Sequence, residues 1–571
     1  MTATLHPSTE TLIPMPRLRA LLLIPLLTIS ACRAAKDAPP AAAKDSPGGT
    51  IVVSTAGGPD NLMPPITVQN AGTQVEDLIF QHLANVGPAL NTVGDEGFTP
   101  DLATRWDWAA DSLSIAFHLD PDARWHDGER VRAADVAFTF ALYTDPKTGS
   151  AAAAQLANID SVTVRDSATA VFWFRKRAPD QFFQAAMQMQ ILPEHLLRAL
   201  DRTTLASSTF ASQPIGSGPF RLVRWESGKT VELAVDTTGG RRRAILDRVI
   251  FTQAPDPVTA FTRVATGEAD LYEAVRPDKV AEVLKNPQLR LIIAPTLNYT
   301  FLSLNLVDPA TGKPHPVFSD RAVRRALTMA TDRRSIVANM YDSLAVQARG
   351  PFTSAQASAD TTLAVLPYAV DSANKLLDAA GWVRGADSLR RKNGRLLTFA
   401  IAVPSSSVAR MRAAVLFQEQ FRRVGADVKV ESSDNSAFGA RMSARRYDAT
   451  IGSWAQDAGP ANARDAWTTA AAAKGLNNFG AYRSAAFDAE LDSALTMMSA
   501  VESHRHFTHA WKIITDDAPA IWLAEPKLAM AVNSRFVTTG MRSDSWWAGL
   551  PKWYIPADKR IARDAPVTLA R

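Results

Sequence analysis

Few residues in this chain are of a type and spacing that could do chemistry. Asp457 stands in "IGSWAQDAGP", residues 451–460, between a tryptophan and a proline, and nothing beside it could serve as a catalytic partner. It offers a single fixed negative charge. "ESHRHFTHAW" supplies His504, His506 and His509, and two histidines three apart on a helix can share a metal ion. No carboxylate motif and no third helix-spaced ligand accompanies them, so a solvated helix face is expected, with no metal and no cofactor. "SANK", residues 372–375, sets Ser372 three before Lys375, and "KTG" stands at 147–149. No Gly-x-Ser-x-Gly elbow is present.

Composition narrows the function classes. A chain of 571 residues is too long for one hydrophobic core, so two or more lobes are expected. Hydrophobic residues make up 46% and charged residues 21%, as in ordinary soluble proteins. The net charge is +5, from 62 basic and 57 acidic residues interspersed throughout, which argues against a nucleic-acid binder built on a basic face. The run Arg241-Arg242-Arg243 after Gly239-Gly240 reads as a solvated turn.

Cys32 is the one cysteine, so disulfides within the chain and cysteine-based metal cages are excluded. Before it, "MPRLRALLLIPLLTISAC" has Arg17 and Arg19 as a positive start and a short apolar stretch from Ala20 to Ala31. That is a secretory signal, too short for a convincing membrane span. Its ending, Ile29-Ser30-Ala31-Cys32, resembles a bacterial lipobox, in which the cysteine becomes the lipidated first residue of the mature protein. Residues 1–31 are therefore expected to be a lipoprotein signal peptide and 32–49, rich in alanine and proline, a flexible tether. The first fourteen residues carry Glu10 and no basic residue, which leaves Met1 and Met15 as alternative starts.

The elements that must position these residues follow from periodicity. Ile51–Val53 is a β-branched run typical of a buried strand. "QVEDLIFQHL" places Val75, Leu78, Ile79 and Leu83 at helical spacing. Leu113, Ile115 and Phe117 alternate with polar residues, marking a strand, and Asp127-Gly128 marks a turn. From Ala133 the pattern is helical, with Val136, Ala137, Phe140 and Ala141 on one face. "SVTVRDSATAVFWFRK" and "GPFRLVRWESGKTVELAV" read as strand pairs. "SDRAVRRALTMATDRRSIVANMY" is helical with Ser319 or Asp320 as its cap, and "DSANKLLDAAGW" is a short helix opened by Asp371 and closed by Gly381. "AAVLFQEQFRRVGADVKVES" is helix, glycine stop, strand, an αβ unit. Ala449–Ser453, before Asp457, reads as a buried strand.

Four blocks in this order resemble the family-5 extracellular solute-binding proteins, the oligopeptide- and dipeptide-binding components of bacterial ABC importers. They are "PDLATRWDWAADSLSIAFHLDPDARWHDGERVRAADVAFTF", "PIGSGPFRLVRW", "FLSLNL" with "FSDRAVRRALTMATDRRSI", and "AGW" at 380–382. The resemblance covers essentially everything after residue 48. It implies an α/β fold, a three-lobed periplasmic-binding-protein-like clamp (type II, family-5 cluster) with two α/β lobes and an inserted smaller lobe. Lobe I would comprise 50–95, 213–298 and 530–571, lobe II 96–212, and lobe III 299–529. Lobes I and III would close over ligand. Trp125 is expected in the core, and Gly216 and Gly218 are expected to give tight backbone geometry.

Trp454-Ala455-Gln456-Asp457 resembles the family's tryptophan-x-x-aspartate at the cleft wall, where the aspartate of peptide-binding members pairs with the ligand's α-amino group. A free ammonium is common to all peptides, so one fixed carboxylate selects it without reading side chains. Trp454 would wall the pocket; the alternative is an aspartate capping a helix near Pro460-Ala461. Two departures stand against the family pattern. Ala458 replaces a frequent tyrosine, and Pro65-Ile66-Thr67-Val68 stands where some peptide binders place an acid. The expected partners are a peptide or other small solute, ABC permease subunits and the membrane through a lipid anchor, with no nucleic acid, a monomeric chain, and a location in the periplasm or cell envelope. The expected activity is binding, not catalysis. Alternative cargoes are a nickel complex, haem or an oligosaccharide. A cell-envelope serine hydrolase built on Ser372 is the remote alternative, because "KTG" precedes the serine instead of following it.

Overall fold

The structure, a computed structural model, describes residues 47–240, 243–474 and 477–565. The leader, Cys32, most of the tether and Arg241-Arg242 lie outside the described residues. Among the described residues no helix is long and apolar enough to cross a membrane.

A 12-stranded mixed sheet runs through the molecule, and a separate 4-stranded antiparallel sheet (103–108, 114–119, 159–166 and 169–174) stands beside it. The first half of the large sheet is centred on Thr50–Thr55. That strand is flanked in parallel by Arg248–Gln253 and Leu271–Tyr272, and such enclosure suits a β-branched, apolar sequence. The hairpin Phe220–Glu226 and Thr230–Val235 closes the outer edge. The second half holds Asn298–Leu304, Ala449–Ala455, Thr398–Pro404 and Asp427–Ser433. There Thr398–Pro404 pairs in parallel with Asp427–Ser433 through the crossover helix Val408–Arg423, and Gly425, at φ 82°, ends that helix.

One strand belongs to both halves. Ala520–Asn533 pairs with Asn298–Leu304 through residues 520–524, and with Leu289–Pro295 through residues 527–533. The shifts of partner fall at Thr296-Leu297 and Glu525-Pro526, where Thr296 Oγ1 donates to the Pro526 carbonyl at 2.6 Å. The end of the described chain returns to the first strand: Thr50 N–H donates to Asp564 Oδ1 at 2.9 Å, and buried Arg535 bridges Asp564 and Asp270.

Apolar burial follows the sheets. One core joins the Thr50 half to the 4-stranded sheet and includes Trp125, which is fully buried. Two others flank the Asn298 half. Gly216 and Gly218 lie against the backbone of the first helix, where an added Cβ would come within 2.0 Å of the Ile79 carbonyl oxygen and 2.6 Å of the Ile79 carbonyl carbon respectively. Close approach, not left-handed φ, is what requires glycine at these two positions.

Several local expectations are corrected. The first helix is Asn70–Ile79 and excludes Leu83, whose N–H donates to the Ala186 carbonyl. The helix Ala133–Thr144 buries Val136, Thr139, Leu142 and Tyr143, while Ala141 is exposed and Phe140 only partly covered. Polar anchors set that rotation: Asp135 accepts from the N–H groups of Arg132 and Glu194, and Leu192 N–H donates to Thr139 Oγ1. The arginine-rich segment is two helices, Arg321–Ala330 and Arg333–Tyr341, each opened by an aspartate cap, Asp320 and Asp332. Asp371 lies inside the first turn of Val370–Ala379 and is not its cap. Arg243 is no solvated residue: it donates to Gln81 Oε1 at 2.9 Å and to the Ser217 carbonyl.

Candidate functional site

The strand Ala449–Ala455 is buried at its start, Ala449 to Ile451, and partly open beyond. It pairs with Asn298–Leu304 along its whole length, but with Thr398–Pro404 only at Ala449 and Thr450. Past Thr450 the strands diverge, opening a gap at the carboxyl ends of the parallel strands, where open α/β sheets commonly bind ligands. The strand stops at Gln456, whose N–H donates to the Leu297 carbonyl at 2.8 Å, and Asp457 leaves from its end.

Asp457 is held from two directions. Gln188 Nε2, just after the helix Gln181–Met187 beside the 4-stranded sheet, donates to Asp457 Oδ2 at 3.0 Å. Its own neighbour Ala458 donates N–H to Oδ1 at 2.7 Å, and Gln356 Nε2 donates to its main-chain carbonyl at 3.3 Å. The helix of residues 462–467 begins at Ala461 without a side-chain cap, so Asp457 does not cap it. Among the described residues no lysine, arginine or histidine forms an ion pair with Asp457. Burial lifts its carboxyl above the ordinary aspartate range; the donors from Gln188 and Ala458 pull it back, and the carboxylates of Asp544 and Asp180 add to the rise.

A cavity of about 560 Å³ opens in front of Asp457. One wall comes from residues 154–188, including Asp180, Phe183 and Gln188. The other comes from residues 457–496, including Gly459 and Arg464. The walls meet closely at Gly459, where an added Cβ would lie 3.2 Å from the Phe183 ring. Asp180 is also pushed up by burial, against the donor of Gln184. The cavity is lined by charges of both signs, Asp180, Asp457 and Asp465 with Arg175, Lys176, Arg177 and Arg464. Of these cations Arg175 pairs with Asp160 and Arg464 with Asp492, and among the described residues none forms an ion pair with Asp457.

Trp454 belongs to a different space. Alternation along the strand turns its ring away from Ser453 and Ala455, onto Phe479, at 5.6 Å and 18° between planes. With Phe301, Phe438 and Tyr447 it lines an apolar cavity of about 160 Å³ that does not include Asp457. The two residues taken together in the sequence motif thus face two separate cavities, one apolar and one lined by charges of both signs.

Further acids lie under the first helix. Glu76 is buried at 1% exposure, accepts from Thr67 Oγ1 at 2.5 Å, and is pushed up to about 8 by burial, with Asp77 and Asp60 adding to the rise. Asp77 accepts from Gln190 Nε2 and from Trp547 Nε1, at 2.9 and 2.8 Å. Thr67, in the stretch Pro65-Ile66-Thr67-Val68, is not an acid, but its hydroxyl donates to an acid supplied by the helix. Gln188, Asp180 and Asp544 carried no sequence signal, because their relation to Asp457 exists only once the chain is folded.

The remaining candidates do not converge here. Ser372 and Lys375 are both exposed on Val370–Ala379. His506 and His509 lie together beside Glu490, while His504 faces Asp360. Cys32 lies outside the described residues.

Residues 97–474 match the family described as bacterial extracellular solute-binding proteins, family 5, middle region. The chain is 25% identical over 524 residues to the oligopeptide-binding protein AppA of Bacillus subtilis, covering 90% of this chain and 93% of that protein. Its fold superposes on the solved structure of Bacillus subtilis AppA in complex with a nonapeptide at a TM-score of 0.73 and 23% identity, over 90% of this chain and all of the other. It superposes equally, at 0.73 and 23%, on NikZ from Campylobacter jejuni in complex with Ni(L-His), over 89% of this chain and 99% of the other.

Proposed function

The chain belongs to the bacterial extracellular solute-binding proteins of family 5, and from that premise we propose that it captures short peptides in the cleft at Asp457 for an ABC importer. The observation that carries this reading is the unpaired, partly buried carboxylate of Asp457, facing a cavity that also holds Asp180. A peptide's α-ammonium would give Asp457 itself an ion-pair partner, and a cation held by hydrogen bonds at a partly desolvated carboxylate is bound more strongly than at the surface. Trp454 would act from the neighbouring apolar cavity, stacking on a ligand side chain.

The rest of the reading follows from the same premise. The segments 50–95, 213–298 and 530–571 form lobe I, 96–212 lobe II and 299–529 lobe III. The paired shifts at Thr296-Leu297 and Glu525-Pro526 support a hinge between the halves of the large sheet. Cys32 carries a lipid that holds the exported monomer at the membrane, and the loaded protein delivers its peptide to permease subunits. The protein binds without turning its ligand over. Exposure of both Ser372 and Lys375 supports that, since an activated serine needs a base fixed beside it.

Native mass spectrometry of protein purified without denaturation tests the cargo. A retained ligand of peptide mass is expected. A nickel complex, haem or an oligosaccharide in its place would overturn the peptide reading while leaving the family untouched.

A further inference from the structure

Away from the cleft, three side chains of metal-binding type converge on the helix pair Ala485–Ala494 and Ala500–Asp517. His506 and His509 are three residues apart on the second helix and therefore share one face. Glu490 reaches across from the first helix. Its Oε2 lies 2.7 Å from His506 Nδ1 and 3.6 Å from His509 Nδ1. One potential ligand atom from each of the three lies within 4.8 Å of the others. The imidazole planes stand at 84° to one another, so the rings are not stacked, and both turn the same nitrogen toward one oxygen.

A hydrogen bond accounts for only half of this arrangement. The 2.7 Å contact satisfies His506, but at 3.6 Å His509 is within ion-pair reach of the carboxylate and beyond a hydrogen bond to it. We propose that Glu490, His506 and His509 form a binding site for a late first-row divalent cation, for which zinc is the probe. Two neutral imidazole nitrogens and one carboxylate oxygen are a donor set suited to zinc, at about 2.0–2.2 Å from the ion. An ion placed between them replaces the direct contacts by small side-chain rotations and leaves a fourth position for water.

The scaffold is already set. Phe487, Leu491, Phe507 and Ala510 bury the facing sides of the two helices, and Ser503 Oγ donates to the Ala494 carbonyl at 2.7 Å. The ligands thus sit on packed helices and not on a loop, which limits the ordering needed on binding. The His509 side chain is 53% exposed, which leaves the ion a path from solvent. His504 takes no part, since two residues along a helix place it on another face. None of the three ligands lines the cavity at Asp457.

The test is zinc titration of chelator-stripped, full-length protein by calorimetry, together with melting curves with and without zinc. Wild type is expected to take one zinc per chain and to melt at a higher temperature with it, because the ion binds the folded chain. Glu490→Gln should weaken zinc at least about tenfold, the scale on which metal sites respond to loss of supporting groups. His506→Ala/His509→Ala should abolish both the binding and the melting shift. A double variant that melts like wild type without zinc shows that the loss is not misfolding. Equal zinc stoichiometry and affinity in wild type and double variant, or no zinc bound by wild type, overturns the proposal.

Discussion

Gln188 Nε2 donates to Asp457 Oδ2 at 3.0 Å, joining residues 269 positions apart. The bond crosses from the segment after the 4-stranded sheet to the end of the strand Ala449–Ala455. It makes the carboxylate at the cavity a shared feature of two segments distant in sequence, and its strength is tied to whether Asp457 is charged.

Peptide affinity should therefore depend on pH in a specific direction. Burial holds the free Asp457 carboxyl above its ordinary 3.8, while a bound ammonium favours the ionised form. Binding then expels a proton at acid pH. Affinity should be flat between the raised value and the range, about 7.7–8.0, where the ligand's own α-amine loses its proton, and should fall about tenfold per pH unit below the raised value. The decline should start at a higher pH than an unperturbed aspartate gives, and Asp457→Asn should remove it. Calorimetry from pH 4 to 8, corrected for buffer ionisation, checks this; a wild-type profile that is flat down to the ordinary aspartate range contradicts it.

Replacing Gln188 should move that profile. Gln188→Leu keeps the approximate volume but removes the donor that favours the charged form, so the acid-side fall should shift to higher pH. An unshifted fall would mean that the amide does not act on the carboxylate in solution.

Glu76 carries a prediction about stability. Its folded value is about 8 against 4.5 for the free side chain, so the folded state keeps a proton that the unfolded chain gives up. The stability this lends is full below 4.5 and is lost as pH rises to 8, at up to about 1.4 kcal/mol per pH unit. Glu76→Gln keeps an oxygen for Thr67 and has nothing to ionise. Denaturant unfolding should show the variant gaining on wild type between pH 5 and 8. Parallel stability profiles would contradict the assignment of a protonated Glu76.

Much of this architecture was legible in the sequence, because it depends on local chemistry. The apolar run at Ile51–Val53 and the Gly425 stop each act within a few residues and stand where the sequence puts them, and of the two caps the sequence offers, Ser319 and Asp320, the helix uses Asp320. That Asp457 follows a strand was legible for the same reason, although the strand is buried only from Ala449 to Ile451 and Ser453 is exposed. What escaped was set by contacts remote in sequence. The face of Ala133–Thr144 was turned by Asp135 holding the Glu194 N–H, 59 residues away. The first helix ended short of Leu83 because the Ala186 carbonyl takes that residue's N–H. Trp454 and Asp457 are three apart, yet the alternation of the strand and the bend at Gln456 send them to different cavities. Glu490, from another helix, completes a cluster that the spacing of His506 and His509 alone left without a third ligand.

Cys32→Ser tests the anchor. The variant should appear in the soluble fraction or accumulate unprocessed, while wild type stays with membranes. A variant that fractionates with membranes as wild type does would end the lipidation reading.

The pairing of Asp457 with a ligand ammonium is measured directly by one thermodynamic cycle. A retained or library-selected peptide and its N-acetylated form are titrated into wild type and Asp457→Asn. Truncating one partner of a buried, hydrogen-bonded charge pair typically costs roughly 2–5 kcal/mol. At about 1.4 kcal/mol per decade, that is on the order of 30- to several-thousand-fold in affinity. Acetylation should weaken binding to wild type on that scale and binding to Asp457→Asn very little, because both changes remove the same interaction. Equal affinity of wild type for the free and acetylated peptides would contradict the account.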